Sequence, residues 1–187
     1  MKPQLTYFNL APNVTVFSTT RHGGVSRGLY GELNINPFCG DDTEAILQNR
    51  RTLAQALSID EQRLVLPHQV HGTVIKAVDN HFFALPSEAQ HRFVEGIDGI
   101  MTDCKGVSIG VSTADCIPII LYDEAHHAAS AVHAGWRGTV KRIASKAVGA
   151  MTQRYGTQPE QLKALIGPGI SMKNFEVGEE VFYAFQD

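Results

Sequence analysis

Two segments separated by a short polar turn are the feature that most constrains how this chain can fold. The first, Ile117 to Tyr122, is apolar and rich in β-branched residues, and the second runs from His127 to Val132 after the turn Asp123-Glu124-Ala125-His126. This pattern predicts a β-hairpin. If Tyr122 pairs with His127, Cys116 and His133 lie opposite each other on one face, with Cβ atoms about 4.5–5.5 Å apart. A register slip of one residue would place them on opposite faces.

Histidines upstream could complete a metal site with this pair. His68 and His71 lie three residues apart, before a strand predicted over residues 73–78. Cys116, His133 and one of these histidines would form a Cys/His₂ set, and catalytic zinc sites use three protein ligands with a fourth position open to water or substrate. Spacing alone leaves the question open, because the chain has no C-x-x-C or H-E-x-x-H motif. A single histidine in a loop or strand is more often a hydrogen-bonded structural residue.

Three arginines are candidates for binding an anionic substrate. Arg137 lies in a glycine-flanked segment that joins a strand to an amphipathic helix, where free N–H groups, the helix dipole and a guanidinium suit phosphate. The alternative is that the glycines serve only a tight turn and that Arg137 pairs with a carboxylate. Arg21, in a glycine-rich loop, is a second phosphate or ribose candidate. Arg50 falls on the apolar face of a helix, where it either points into a pocket or extends to the surface.

The hydrophobic pattern predicts the fold class. Helices are expected over residues 43–57 and 139–155, with Thr43 as an N-cap and Gly156 after the second helix. The composition of residues 20–42 predicts a long functional loop. Residues 79–95 show no clear hydrophobic period and predict a surface excursion, that is, an irregular surface segment. Further strands are expected over residues 14–19, 97–103, 107–112 and 162–166. Strands that mostly neighbour one another in sequence predict an α+β, layered, single domain over residues 1–187 with a mixed, largely antiparallel sheet.

Charge and composition narrow the classes of function. The net charge of −3 and the lack of a basic stripe argue against nucleic acid as a partner. No apolar run approaches the ~20 residues of a membrane span, and the amino terminus has no signal-peptide pattern. Three cysteines without a disulfide framework favour a reducing compartment, so we expect a cytoplasmic protein. Cys39 and Cys104 are expected to be packed or free thiols rather than ligands.

A set of short motifs occurs in one order along the chain. The motifs are Thr20-Arg21-His22-Gly23-Gly24-Val25-Ser26, Gly40-Asp41-Asp42, Gln69-Val70-His71-Gly72, Asp98-Gly99, Thr113-Ala114-Asp115-Cys116-Ile117-Pro118, His133-Ala134-Gly135-Trp136-Arg137-Gly138 and Ile166-Gly167-Pro168-Gly169-Ile170. Together they resemble the YfiH-like family, the polyphenol oxidase or laccase-domain proteins that act as purine nucleoside phosphorylases. The resemblance runs from about Val14 to the last residue.

The resemblance implies a YfiH-like fold and a zinc site made by His71, Cys116 and His133. His68 is then a neighbour of the site rather than a ligand. Members of the family continue with a further carboxy-terminal segment, whereas residues 178–187 of this chain predict the opening of a helix that ends without a cap. We therefore expect the chain to lack that segment.

The function that the resemblance implies is a zinc-dependent purine nucleoside phosphorylase, with adenosine deamination as an additional activity. Its partners would be purine nucleosides (adenosine, inosine or guanosine) and inorganic phosphate. The candidate catalytic residues are Cys116, His133 and Arg137. The candidates for binding substrate or phosphate are Arg21, Arg50 and Arg137.

Three alternative functions remain open. A cysteine hydrolase or deamidase would use Cys116 as nucleophile and His133 as base. A copper polyphenol oxidase is less favoured, because multicopper chemistry needs many histidine pairs and His126-His127 is the only such pair in the sequence. A non-enzymatic zinc-binding protein would bind metal without turnover.

Overall fold

The hairpin predicted from the two segments forms the centre of the fold. The computed structural model describes residues 2–186. Its strands are β1 (Leu5–Phe8), β2 (Val16–Thr19), β3 (Leu64–Val65), β4 (Ile75–Ala77), β5 (Gly99–Thr102), β6 (Ser108–Ile109), β7 (Ile117–Asp123), β8 (Ala128–Ala134) and β9 (Lys163–Ile166). Its helices are α1 (Thr43–Leu57), α2 (Asn80–Ala84), α3 (Ser87–Phe93), α4 (Trp136–Val140), α5 (Ile143–Tyr155) and α6 (Glu179–Ala184).

The main sheet has five strands in the order β4-β5-β8-β7-β9. All neighbours pair antiparallel except β4 and β5, which are parallel. Two small sheets accompany it, an antiparallel pair of β1 and β2 and a parallel pair of β3 and β6. The predicted fold class, helices with a mixed and largely antiparallel sheet, is confirmed.

The register of the hairpin differs from the prediction. Asp123 pairs with Ala128 and Pro118 with His133, so the proposed pairing of Tyr122 with His127 is wrong. The Asp123 side chain accepts hydrogen bonds from the backbone N–H groups of Ala125 and His126, and His127 takes a left-handed conformation with φ 52°. His127 therefore belongs to the turn. The shift moves each partner by two positions, so it preserves the face of every side chain.

Apolar side chains cover both faces of the main sheet. Helix α5 packs on one face through Ile143, Ala147 and Met151, which form one core cluster with Val132 of β8. The opposite face is covered by Val65 of β3, Phe82 of α2, and the connecting residues Val78 and Val94, which pack around Ile100 and Ala131. Strand β8, at the centre of the sheet, is therefore packed on both of its faces, and it carries His133.

Several local predictions need correction. Residues 79–95 are not an irregular excursion: they form α2 and α3, and Phe82 is buried. Both helices are too short to show a hydrophobic period, and the Asp79 side chain, which accepts from the N–H of Phe82, starts the first of them. Helix α1 has the predicted bounds, but Asp42 rather than Thr43 is its N-cap.

The segment predicted as one helix over residues 139–155 is divided. Arg142 adopts a left-handed conformation, with φ 59°, between α4 and α5. Gly156 follows α5 with φ 74°, as predicted. No helix within residues 2–186 is long and apolar enough to cross a bilayer.

Candidate metal centre

His71, Cys116 and His133 come together at one end of the hairpin. His133 lies near the end of β8, Cys116 directly precedes β7, and His71 lies in the turn between β3 and β4. One potential ligand atom from each side chain lies within 4.8 Å of the other two. His133 is buried, Cys116 half-buried and His71 exposed. The two-position shift of the register places Cys116 diagonal to His133 rather than opposite it, and the shared face is kept.

The chemistry of this group suits a metal ion. A thiolate and two imidazoles are the donors that zinc and copper(I) prefer, and three protein ligands leave a coordination position open. Within residues 2–186 this is the only cluster of three or more His, Cys, Asp or Glu side chains arranged to hold a metal. His68 lies outside this cluster.

A buried carboxylate, that of Asp98, connects two of the three candidate ligands. Asp98 Oδ1 lies 2.8 Å from His133 Nδ1 and accepts the backbone N–H of His71 at 2.9 Å. Oδ2 accepts the N–H groups of Val70 at 3.2 Å and Gly72 at 2.7 Å. Burial raises the pKa of this carboxyl, but the hydrogen bonds from His133 and the three amides outweigh burial and hold its pKa below the ordinary value. Asp98 is therefore ionised at neutral pH.

The sequence analysis assigned no role to Asp98. Asp98 stands in the quoted Asp98-Gly99 motif, directly before β5, and β5 pairs with the strand that carries His133. The sequence offered one indication of a role for Asp98, which is that an acidic residue stands at the start of a fully buried strand. A charge placed there needs partners inside the protein.

The surroundings of the Cys116 thiol oppose its ionisation. Burial raises its pKa, and the nearby charges of Asp115 and Asp98 raise it further. A nucleophilic cysteine needs the opposite shift, so this environment does not favour the cysteine-hydrolase alternative. Coordination to a metal ion would remove the proton from the thiol.

The absence of a side chain at Gly135 allows the three ligands to converge. A Cβ atom at this position would lie 3.0 Å from Cδ2 of His71 and 3.1 Å from Sγ of Cys116. These distances are shorter than an ordinary carbon–carbon or carbon–sulfur contact. The packing of the ligands, and not the backbone conformation of residue 135, therefore favours glycine here.

Replacing Gly135 by alanine should weaken metal binding by about 10–100-fold, comparable to the loss of a group that orients a ligand. The added methyl group must displace the imidazole of His71 or the thiol of Cys116. Gly149→Ala is the matched control, since a Cβ atom there meets nothing within 4 Å, and alanine should stabilise helix α5 by up to about 1 kcal/mol. Competition with a chromophoric chelator measures the affinity, and equal affinity in both variants would contradict the proposed role of Gly135.

A cavity of about 480 Å³ opens beside the three candidate ligands. Its wall includes Asn36, Phe38, His68 and Gln69. The rings of Phe38 and His68 stack with centroids 4.6 Å apart, and His68 Nδ1 lies 2.5 Å from a carboxylate oxygen of Glu95. The site therefore offers aromatic surface and polar groups next to a potential metal ion, within a volume suited to a small molecule.

The three predicted arginines do not converge on this cavity. Arg137 is exposed and its guanidinium lies over the ring of its neighbour Trp136, 4.1 Å from the centroid. Arg21 donates through Nε and Nη2 to the carbonyl of Gly31. Arg50 donates to the carbonyls of Ile35 and Leu64, and burial lowers the pKa of its guanidinium.

The location assumed for Arg137 also needs correction. It does not stand at the start of the amphipathic helix, because α5 begins at Ile143 and Arg137 lies in the separate five-residue helix α4. Binding of substrate or phosphate by Arg137, Arg21 and Arg50 remains a prediction.

Comparison with known proteins is consistent with this architecture. A family model described as multi-copper polyphenol oxidoreductase laccase matches residues 15–187. The chain is 39% identical to a protein of Bacteroides thetaiotaomicron named purine nucleoside phosphorylase, over 99% of this chain and 69% of that protein. It is 40% identical to adenosine deaminase RL5 from an unknown prokaryotic organism, over 98% of this chain and 70% of that protein.

A solved structure shows the same fold. The crystal structure of the hypothetical protein YfiH of Bacillus licheniformis superposes with a TM-score of 0.84 at 28% identity, covering 92% of this chain and 65% of that chain. The chain therefore belongs to the laccase-like YfiH family, as the motifs predicted. It spans roughly two thirds of the length of these relatives.

Proposed function

We propose that the protein is a zinc-dependent purine nucleoside phosphorylase. The observation that carries the proposal is the group of His71, Cys116 and His133 beside an open cavity. The names of the similar proteins supply the substrate class. The name of the similar deaminase favours adenosine deamination as a second activity. The three cysteines are unpaired, in keeping with the reducing cytoplasm that we propose as the location.

Zinc is the metal that we propose for the site, although the description of the family names copper. A Cys/His₂ set with an open position is typical of catalytic zinc. Multicopper oxidation needs several copper ions, and the one His-His pair of the sequence is engaged elsewhere. His126 Nδ1 lies 2.7 Å from Asp123 Oδ2 and His127 Nδ1 lies 2.9 Å from the Tyr122 hydroxyl, both at the turn of the hairpin.

The proposed reaction exchanges one bond at the ribose. A phosphate oxygen bonds to C1′ as the bond from C1′ to the purine nitrogen breaks, and the electron pair of that bond leaves with the purine. The proton that phosphate gives up is taken by the purine, so the products are the free base and ribose-1-phosphate. His71, Cys116 and His133 would hold the zinc ion, which when bound supplies a Lewis acid and lowers the pKa of coordinated water.

The side chains of the cavity would hold the nucleoside in place for this exchange. The stacked rings of Phe38 and His68 offer an aromatic surface to a purine, and Asn36 offers a side-chain amide. The amide of Gln69 is bonded to the backbone of Ser112 and shapes the cavity wall. Positioning of the two reactants is itself a large part of catalysis in group transfer. Arg137, Arg21 and Arg50 remain the proposed contributors to phosphate binding.

Dependence on phosphate tests the proposal. Zinc-loaded protein incubated with inosine or adenosine should release the base and ribose-1-phosphate when inorganic phosphate is present, and base release should fall away when it is omitted. Deamination of adenosine should continue without phosphate, because its nucleophile is water. A zinc-loaded protein that cleaves no nucleoside, yet oxidises phenols when copper is added, would overturn the proposal.

Arginine variants test the phosphate contacts. Arg137→Ala and Arg21→Ala should each raise the KM for phosphate by about tenfold or more, since a hydrogen bond to a charged group is worth about 1.5–3 kcal/mol. Their zinc content should not change, because neither residue belongs to the ligand group. Arg92→Ala is the control, as Arg92 is exposed and pairs with Glu88 on α3. An unchanged KM in both variants would return Arg137 and Arg21 to structural roles.

A further inference from the structure

Asp98 uses all of its hydrogen-bonding capacity as an acceptor. Four N–H groups point at its carboxylate, three from the backbone of residues 70–72 and one from the ring of His133. The side chain is fully buried. Since an ionised carboxylate cannot donate, the ring nitrogen that contacts it must carry the hydrogen. A neutral His133 ring in this contact carries its hydrogen on Nδ1 and its lone pair on Nε2.

The same carboxylate shapes the turn that carries His71. His71 has φ 59°, a left-handed conformation that is uncommon for a residue other than glycine. The N–H groups of Val70, His71 and Gly72 converge on Asp98 only because the backbone turns in this way. Such a strained residue persists where its surroundings hold it firmly. In addition, the backbone N–H of His133 donates to the carbonyl oxygen of Asp98 at 2.8 Å.

We propose that Asp98 is a positioning residue for the metal centre: it fixes His133 in the tautomer that presents Nε2 to a divalent cation, and it holds the turn that places His71. Two of the three ligands are thereby arranged before the metal arrives. The charges also match, because the Asp98 carboxylate and a Cys116 thiolate together balance the two positive charges of the ion. This inference rests on the proposed metal centre and does not depend on the identity of the nucleoside.

Asp98→Asn is the informative variant, because it keeps the shape of the side chain and removes its charge and half of its acceptor capacity. We expect the affinity for zinc to fall by about 10–100-fold, the usual effect of losing a group that orients a metal ligand. Asp123→Asn is the matched control. Asp123 is also buried and also accepts two backbone N–H groups and lies against a histidine ring, but at the turn of the hairpin.

The control separates positioning of the ligands from general loss of stability. Zinc affinity is measured by competition with a chromophoric chelator, and the visible spectrum of the cobalt(II)-loaded protein reports the ligand field. Asp123→Asn should bind zinc within about twofold of the unaltered protein, because it lies outside the ligand group. Wild-type zinc affinity and an unchanged cobalt spectrum in folded Asp98→Asn, or an equal loss of affinity in both variants, would overturn the proposal.

A measurement on the unaltered protein keeps the test decisive if Asp98→Asn does not fold. Nitrogen-15 NMR of the metal-free protein should show His133 protonated at Nδ1 and unprotonated at Nε2. An Nε2–H tautomer would overturn the proposal. Failure of the proposed function is distinguished by a separate result, the absence of phosphorolysis in a protein that binds zinc and shows the expected tautomer.

Discussion

Replacing Cys116 by serine should remove the bound metal and lower phosphorolysis of inosine by more than about 100-fold, since even the loss of a group outside the ligand shell costs about 10–100-fold. Serine keeps the size of the side chain but lacks the thiolate that zinc prefers. The fold should persist, because Cys116 precedes β7 and does not belong to either core cluster. Metal analysis, chelator competition and a base-release assay measure the effect.

Cys104→Ser is the control for the loss of a thiol. Cys104 is a free cysteine outside the candidate metal cluster, so its replacement should leave zinc content and turnover close to those of the unaltered protein. Full turnover by metal-free protein, blocked when Cys116 is alkylated, would instead establish the cysteine-hydrolase alternative.

Replacing Asn49 by alanine should lower the free energy of unfolding by about 2–3 kcal/mol, because it leaves several buried polar groups without partners. Asn49 is fully buried in α1. Its Oδ1 accepts the N–H of Val25 at 2.8 Å, and its Nδ2 donates to the Ser26 hydroxyl and to the carbonyls of Glu32 and Asn34. The side chain of Asn49 thus connects the loop over residues 20–42 to helix α1 by hydrogen bonds.

The same variant should also raise the KM for the nucleoside, because that loop carries Asn36 and Phe38 of the cavity wall. Urea denaturation and steady-state kinetics measure the two effects. Gln48→Ala, one position earlier on the exposed side of α1, should change stability by no more than about 0.5 kcal/mol. Equal stability of the two variants would contradict the role assigned to Asn49.

The regular parts of the fold could be predicted from the sequence because each carries a repeating pattern. Helix α1 has the predicted bounds, and β7 and β8 form the predicted hairpin. The register could not be fixed in advance, since it depends on whether His127 continues the strand or adopts the left-handed conformation that it has. The division between α4 and α5 could not be predicted for a similar reason, because it depends on the left-handed conformation of Arg142.

The site could be predicted only in part. Cys116 and His133 followed from the hairpin, and His71 followed from the resemblance to a family, because nothing in local spacing distinguishes it from His68. Asp98 and Asn49 could not be found by periodicity. Each is a single buried polar residue whose hydrogen-bond partners are distant in sequence. The contribution of such a residue to the structure is visible only when the fold brings those partners to it.

Titration of metal-free protein with zinc tests the central claim most directly. Bound zinc and phosphate-dependent release of hypoxanthine from inosine are measured in the same samples. We predict that both rise together and level off at about one zinc ion per chain, as expected for one site with three protein ligands. Full phosphorolysis before any zinc is added, or a chain saturated with zinc that releases no base at any phosphate concentration, would contradict the account.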